Sequence, residues 1–137
     1  MRRYIFEYVA ERTRGGEVVH RPIVHLHVRS GGGEWYLFYP YVDSGADISL
    51  LTRSDCGLLG LKLREGAYRP VLGIGRIEIP AYVYEVPVRI GDEEFQVRIA
   101  FADSNEVPRV LGRSEIFRRF RITFDEVDLK TVFEVMP

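Results

Sequence analysis

The sequence predicts an all-β domain whose strands close into a barrel-like sheet, with one short helix near the C-terminus. Apolar and polar residues alternate with a period of two in several segments, as they do in half-buried strands. Turn-forming residues, mainly glycine and proline, separate these segments, and residues 114–120 are the one stretch predicted as a helix. The 137 residues, of which 46% are hydrophobic, suit a single domain with its own core.

The N-terminal part of the chain is not clearly assigned to the predicted barrel-like domain. Residues 1–20 are predicted to form an extension or an added strand, and residues 21–137 to form the domain proper. The chain begins like a signal peptide, but Glu7 and Glu11 interrupt any apolar region. No membrane span is predicted either, so a cytoplasmic protein is expected.

The first strand of the domain alternates cleanly. Val24, Leu26 and Val28 share one face, and His25 and His27 share the other. Two histidines at this spacing could bind a metal ion, but no Cys, Asp or Glu stands at a typical spacing to complete a set of ligands. They are predicted to be solvent-facing strand residues, and no metal is expected.

The later strands are predicted from composition and turns. Residues 34–42 are rich in aromatic and β-branched residues, and residues 76–90 form one or two strands in which Pro80 and Pro87 favour edges or bends. A Gly-Asp pair at residues 91–92 predicts a hairpin turn. In the strand after that turn, the apolar positions of the alternation are Phe95, Val97, Ile99 and Phe101.

Two short motifs stand out because of their order and context. An acidic loop directly follows the aromatic strand, and it consists of Asp43, Ser44, Gly45, Ala46 and Asp47. Downstream, two apolar residues and a Gly-Arg pair precede the predicted helix, and they are Val110, Leu111, Gly112 and Arg113. Together the motifs resemble those of the retropepsin-like aspartic proteases, in which Asp-Thr/Ser-Gly-Ala is followed later by two apolar residues and Gly-Arg at the start of a short helix.

The resemblance covers roughly residues 21–127 and implies an all-β, closed barrel-like retropepsin fold. Since the chain has one Asp-Ser-Gly loop, it also implies a homodimeric aspartic endopeptidase that acts on peptides. Asp43 of each subunit would then form a pair that activates water. Two carboxylates this close cannot both ionise and share one proton, a behaviour for which aspartic proteases are themselves the standard example.

The same resemblance implies roles for the rest of the acidic loop. Ser44 would bond across the dimer axis, and Gly45 would allow a tight turn and close approach. Ala46 cannot donate a hydrogen bond to the nearby carboxylate, which implies a mildly acidic pH optimum. Asp47 and Arg113 would form a buried or semi-buried ion pair that braces the loop. Residues 131–135 are a candidate strand for pairing the subunits.

The resemblance further places Val110 and Leu111 beneath the acidic loop, with Gly112 where the two segments pass closely. Between the two motifs it places a flap, which is a mobile hairpin that closes over the substrate. The residues predicted for this flap are Leu72, Gly73, Ile74 and Gly75. An ordinary glycine-containing hairpin turn is the alternative interpretation.

Other interpretations remain open for the acidic loop. Asp43 could be a turn residue that bonds its own backbone, a common role for Asp before Gly. The whole chain could likewise be a non-catalytic dimerisation or peptide-binding module with the same fold.

Several further functions are set aside. The net charge is −1 and the basic residues are scattered among acidic ones, so the sequence does not predict a basic surface that would bind nucleic acid. Residues 55–57 repeat the pattern Asp-x-Gly, but the polar turn predicted over residues 52–54 precedes them instead of a strand, so they are not a second catalytic loop. Cys56 is alone, which excludes an intrachain disulfide. No organic cofactor is implied.

Overall fold

A computed structural model describes residues 2–137, and strands dominate this part of the chain. The strands are β1 (Arg3–Glu7), β2 (Val9–Arg12), β3 (Val18–Arg21), β4 (Leu26–Arg29), β5 (Trp35–Phe38), β6 (Tyr41–Val42), β7 (Ser49–Leu51), β8 (Ala67–Tyr68), β9 (Val71–Leu72), β10 (Glu78–Ile79), β11 (Ala81–Ile90), β12 (Glu93–Ala102), β13 (Val110–Leu111), β14 (Phe120–Asp125) and β15 (Lys130–Val135). An α-helix, α1, spans Arg53–Leu58, and 3-10 turns span Leu63–Glu65 and Ile74–Arg76.

The main sheet curls back on itself. Its strand order is β5-β4-β11-β12-β7-β13-β6, with β8 added beside β11. An antiparallel bridge between Ile23, just before β4, and Tyr41 of β6 brings the two ends of this order together. The all-β, barrel-like fold predicted from the sequence is therefore confirmed.

The core fills the inside of this curled sheet. On β12, Phe95, Val97, Ile99 and Phe101 all point inward and are buried, as the alternation predicts. On β4, Leu26 and Val28 are buried while the intervening histidine is only half-buried. Each fully buried side chain of this size contributes about 1.5–3 kcal/mol relative to leaving it in water.

The hairpin between β11 and β12 turns at residues 91–92, as predicted. Gly91 has a φ of +59°, which favours glycine, and a Cβ added there would lie 2.3 Å from the ring of Tyr4. The predicted positions of the prolines also agree with the structure. Pro80 lies at the bend between β10 and β11, and Pro87 lies in β11 between the stretches that pair with β8 and β4.

The N-terminal residues are part of the structure. β1 pairs with β15, and β2 and β3 form a hairpin that crosses the predicted boundary at residue 20. β15 lies between β1 and β14, so both of its edges are already paired within the chain. β15 therefore offers no free edge to which a strand of another subunit could be added, and a role of residues 131–135 in pairing the subunits stays a prediction.

The position predicted for the helix is wrong. Residues 114–119 form hydrogen-bonded turns, residue 120 already begins β14, and Glu115 has a φ of +64°, which an α-helix does not tolerate. The helix lies instead at Arg53–Leu58, where a polar turn was predicted. Thr52 and Asp55 form a capping box that satisfies the first backbone N–H groups, a local Thr-x-x-Asp signal for a helix start.

Candidate active site

Two neighbouring parallel strands hold the acidic loop in place. β6 delivers Asp43 and runs parallel to β13, with Val42 opposite Leu111. The backbone N–H of Tyr41 donates to the carbonyl of Arg109, and that of Asp43 donates to the carbonyl of Leu111, both at 3.0 Å. Because Leu111 is buried, the loop is anchored to a residue of the hydrophobic core.

The Asp43 carboxylate is exposed at the end of β6. Its Oδ1 atom accepts a hydrogen bond from the backbone N–H of Gly45 at 2.8 Å. The N–H of Ala46 donates to the carbonyl of Asp43 at 3.2 Å, which closes the turn. Ser44 is exposed, and its hydroxyl makes no hydrogen bond to any part of the chain that the structure describes. Oδ2 of the exposed Asp43 accepts no hydrogen bond from residues 2–137.

The Gly-Arg motif braces the other side of the loop. Gly112 donates its N–H to the hydroxyl of Ser49 at 3.0 Å, and Arg113 donates its N–H to the carbonyl of Ala46 at 2.9 Å. The side chains of Arg113 and Asp47 form an ion pair. These side chains are 54% and 73% exposed in the single chain. The buried or semi-buried state expected for this pair in a dimer stays a prediction.

Replacing Gly112 by Ala is expected to destabilise the chain by about 2 kcal/mol or more. An added Cβ would lie 2.5 Å from the backbone carbon and oxygen of Ile48, and backbone atoms cannot move aside cheaply. Gly57 in α1 is the matched control, because a Cβ there meets nothing within 4 Å. Gly57→Ala is expected to be neutral or stabilising. Urea unfolding of both variants checks this, and equal effects would contradict the close crossing.

Removing the exposed ion pair is expected to matter little for stability. Arg113→Ala should change the unfolding free energy by less than about 1 kcal/mol, because both charges are well solvated. The backbone bond from residue 113 to Ala46 is kept in this variant. Chemical denaturation at low and high salt measures the effect, and a loss several times larger would indicate a role that exposure does not explain.

A hairpin overhangs the loop. β9 and β10 pair at its base, and the N–H of Gly73 donates to the carbonyl of Ile77 at 2.8 Å near its tip. Gly75 has a φ of +78°, a conformation that glycine adopts readily. Ile74 is 99% exposed, and Leu72 is also largely exposed. Apolar residues at the tip of a thin hairpin are suited to covering a bound chain.

The hairpin and the acidic loop enclose a cleft of about 700 Å³. From the predicted site, the structure brings into its lining Asp43, Gly45, Ala46, Asp47, Leu72, Gly73, Ile74 and Val110. Other predicted residues do not line it, and these are Ser44, Gly75, Leu111, Gly112 and Arg113. The last three support the loop from behind, as the backbone bonds and the burial of Leu111 show.

Sequence reasoning missed part of the cleft wall. Arg69 and Pro70 precede the hairpin, and Glu106, Val107 and Pro108 precede the Gly-Arg motif. The only local signal for the second group was its position directly before that motif. For the first group no local signal existed, because its place depends on β8 pairing with β11.

Asp55 is a structural carboxylate and not a second catalytic one. Its side chain is 4% exposed, and it accepts two bonds from the guanidinium of Arg109, at 2.8 and 3.0 Å. Burial acts to raise the pKa of Asp55, but the bonds from Arg109 and from Thr52 outweigh it and leave the pKa lowered.

Burial also raises the pKa of Cys56 to about 11, so this thiol stays protonated and unreactive.

In residues 2–137, no group of three or more His, Cys, Asp or Glu side chains is placed to hold a metal ion. The pKa of His27 is lowered, chiefly by burial and then by the charges of Arg89 and His25. None of the helices in these residues has the length and apolar character needed to cross a membrane.

Comparison with solved structures assigns the fold. A retropepsin-like aspartic protease from Rickettsia conorii superposes with a TM-score of 0.64 at 23% identity, over 96% of this chain and 98% of that one. EIAV protease in complex with the inhibitor HBY-793 superposes with a TM-score of 0.53 at 21% identity, over 68% of this chain and 82% of that one. No protein-family model and no curated protein sequence matches the chain. The chain therefore has the retropepsin-like aspartic protease fold, which confirms the resemblance seen in its two motifs.

Proposed function

We propose that the protein is an aspartic endopeptidase that acts as a homodimer, with one Asp43 from each subunit in a shared catalytic pair. One observation carries this proposal. The exposed Asp43 carboxylate lies in the lining of a cleft beneath an apolar hairpin, on a loop that backbone bonds from β13 hold in place. A rigid support and a carboxylate oxygen, Oδ2, that accepts no hydrogen bond from residues 2–137 suit a group that must handle protons.

The need for a second subunit follows from the other carboxylates near the loop. Asp47 is engaged by Arg113, and Asp55 is buried against Arg109. Glu106 lines the cleft, but it lies on an exposed loop and not at the end of a strand of the main sheet as Asp43 does. A two-fold axis beside the Asp43 loop would supply an identical and equally well held partner.

The two carboxylates would share one proton and hold a water molecule between them. The ionised group takes a proton from this water as it attacks the scissile carbonyl, and the protonated group gives its proton to the carbonyl oxygen. The peptide lies extended, with its backbone beside the hairpin and the loop at Ala46 and Asp47. Alternate side chains then enter the apolar parts of the cleft, which include Ile48, Leu50 and Val71.

A non-catalytic peptide-binding or dimerisation module is the second candidate. The bond from the Gly45 N–H to Asp43 favours it, because the same bond occurs in ordinary Asp turns. Hydrolysis of unfolded casein over about pH 3 to 7, with pepstatin as inhibitor and sedimentation of the same samples, separates the two. Pepstatin-sensitive cleavage by a dimer supports the enzyme, whereas a dimer without cleavage at any pH supports the module.

The pH optimum for hydrolysis is expected to be mildly acidic. Ala46 lines the cleft beside Asp43 and has no side-chain donor for a carboxylate. Ala46→Thr supplies such a donor, which favours the ionised form and is expected to move the optimum to lower pH. Initial rates of casein hydrolysis measured against pH check both statements. A wild-type optimum as acidic as that of gastric pepsins would contradict the first of them.

A further inference from the structure

The cleft contains a cation that the proposed chemistry does not use. Of its charged side chains, Asp43 belongs to the proposed pair and Asp47 is engaged by Arg113. Arg69 and Glu106 also line the cleft, and neither forms an ion pair with any of residues 2–137. Arg69 does attract Glu115, but Glu115 is already bound by Arg98 at 2.8 Å. Within residues 2–137 of the single chain, the Arg69 guanidinium therefore has no ion-pair partner of its own.

The backbone at Arg69 is well fixed. Its N–H donates to the carbonyl of Ala81 at 2.9 Å, directly after the two residues of β8 that pair with β11. Pro70 follows, and a residue before proline is restricted to extended conformations. The hairpin that covers the cleft begins at the next residue, Val71. Arg69 thus has a fixed backbone position directly before the hairpin that covers the cleft.

A bound peptide would change the surroundings of this cation. An extended chain under the hairpin excludes water, and charge interactions strengthen as water leaves. A guanidinium without a partner then becomes costly, whereas a carboxylate on the peptide would form a charge-assisted hydrogen bond with it. A basic side chain at the same place would be repelled.

We infer that Arg69 determines substrate specificity by selecting peptides with an acidic side chain, Asp or Glu, close to the scissile bond. The inference rests on the proposed peptidase function and adds a substrate class to it. Glu106 lies on the segment of the cleft wall that precedes the Gly-Arg motif, and it carries the charge opposite to that of Arg69. Its carboxylate opposes acidic side chains, so its removal acts in the direction opposite to removal of Arg69.

Cleavage of a random-sequence peptide library, read by mass spectrometry, tests the inference. Wild type is expected to cut acidic sites about tenfold more often than matched basic sites, the ratio that one such charge pair of about 1.4 kcal/mol provides. Arg69→Gln removes this preference, Arg69→Glu reverses it, and Glu106→Gln strengthens it. Arg64→Gln is the control, because Arg64 pairs with Asp103 outside the cleft lining. An unchanged profile in Arg69→Glu overturns the inference.

A binding measurement keeps the two proposals separate. In the Asp43→Asn background, fluorescence anisotropy compares a labelled apolar peptide flanked by Glu with the same peptide flanked by Lys. If the Glu peptide binds more tightly than the Lys peptide, and Arg69→Gln abolishes this difference, charge selection by Arg69 is supported. This holds even if wild type cuts no peptide, because the absence of cleavage would overturn only the peptidase proposal. Cleavage by wild type with no charge dependence in either assay overturns the role of Arg69 and leaves the peptidase standing.

Discussion

Asp43→Asn is expected to lower the rate of peptide hydrolysis by about 10³-fold or more, since an amide can neither take a proton from water nor share one with its partner. The fold is expected to survive, because an Asn side-chain oxygen can still accept the bond from the Gly45 N–H. Initial rates of casein hydrolysis at the wild-type pH optimum give the measurement, together with a thermal melt of each protein.

Asp92→Asn is the matched control for this variant. Asp92 is also exposed and also lies in a turn, but the turn joins β11 to β12 and does not line the cleft. This control is expected to keep wild-type rates. Hydrolysis that persists in Asp43→Asn, with Asp92→Asn as reference, would show that the reaction uses another group.

Asp55→Ala is expected to lower the unfolding free energy by about 3 kcal/mol. The change removes a buried carboxylate that binds the Arg109 guanidinium and also caps α1 through the N–H of Thr52. Urea unfolding followed by the fluorescence of Trp35, the one tryptophan of the chain, measures the loss. Asp103→Ala is the control, because the Arg partners of Asp103 are largely exposed and its loss should cost about 1 kcal/mol or less.

The same carboxyl group gives stability a defined pH dependence. Because the folded-state pKa of Asp55 is lowered, its contribution is complete above the usual Asp value of about 3.9 and is lost as pH falls through the lower folded value. The pKa of Glu115 is also lowered, chiefly by its bond from Arg98, and acts in the same direction. Unfolding free energies are expected to fall below about pH 4, and less steeply in Asp55→Asn. Stability that increases on acidification would contradict this sign.

Local signals in the sequence carried much of this structure. The alternation on β12 required one buried face, and the Gly-Asp pair at residues 91–92 required a tight turn. The acidic loop and the Gly-Arg motif are separated along the chain, yet each is a short motif that can be recognised from its own residues. Their order indicated the fold that the solved structures confirm.

The features that sequence reasoning missed depend on contacts between distant segments. The sequence predicts a helix at residues 114–120, but Glu115 there adopts a positive φ and accepts a hydrogen bond from Arg98 of β12. The bond between Asp55 and Arg109 joins residues that are 54 positions apart in the chain, and no periodic pattern of the sequence predicts such a pair. Arg69 enters the cleft because of strand pairing and not because of its neighbours in sequence. Only the capping box at Thr52 was a local signal that had been overlooked.

Subunit mixing tests the shared catalytic pair most directly. Wild-type chains are unfolded together with an about ninefold excess of Asp43→Asn chains and refolded, so that random pairing leaves about one tenth of wild-type subunits in wild-type dimers. Hydrolysis per wild-type subunit is then expected to fall to about one tenth of its value in the undiluted dimer. A rate per wild-type subunit that does not change on mixing would show that one chain holds a complete catalytic site, which would contradict the proposed pair.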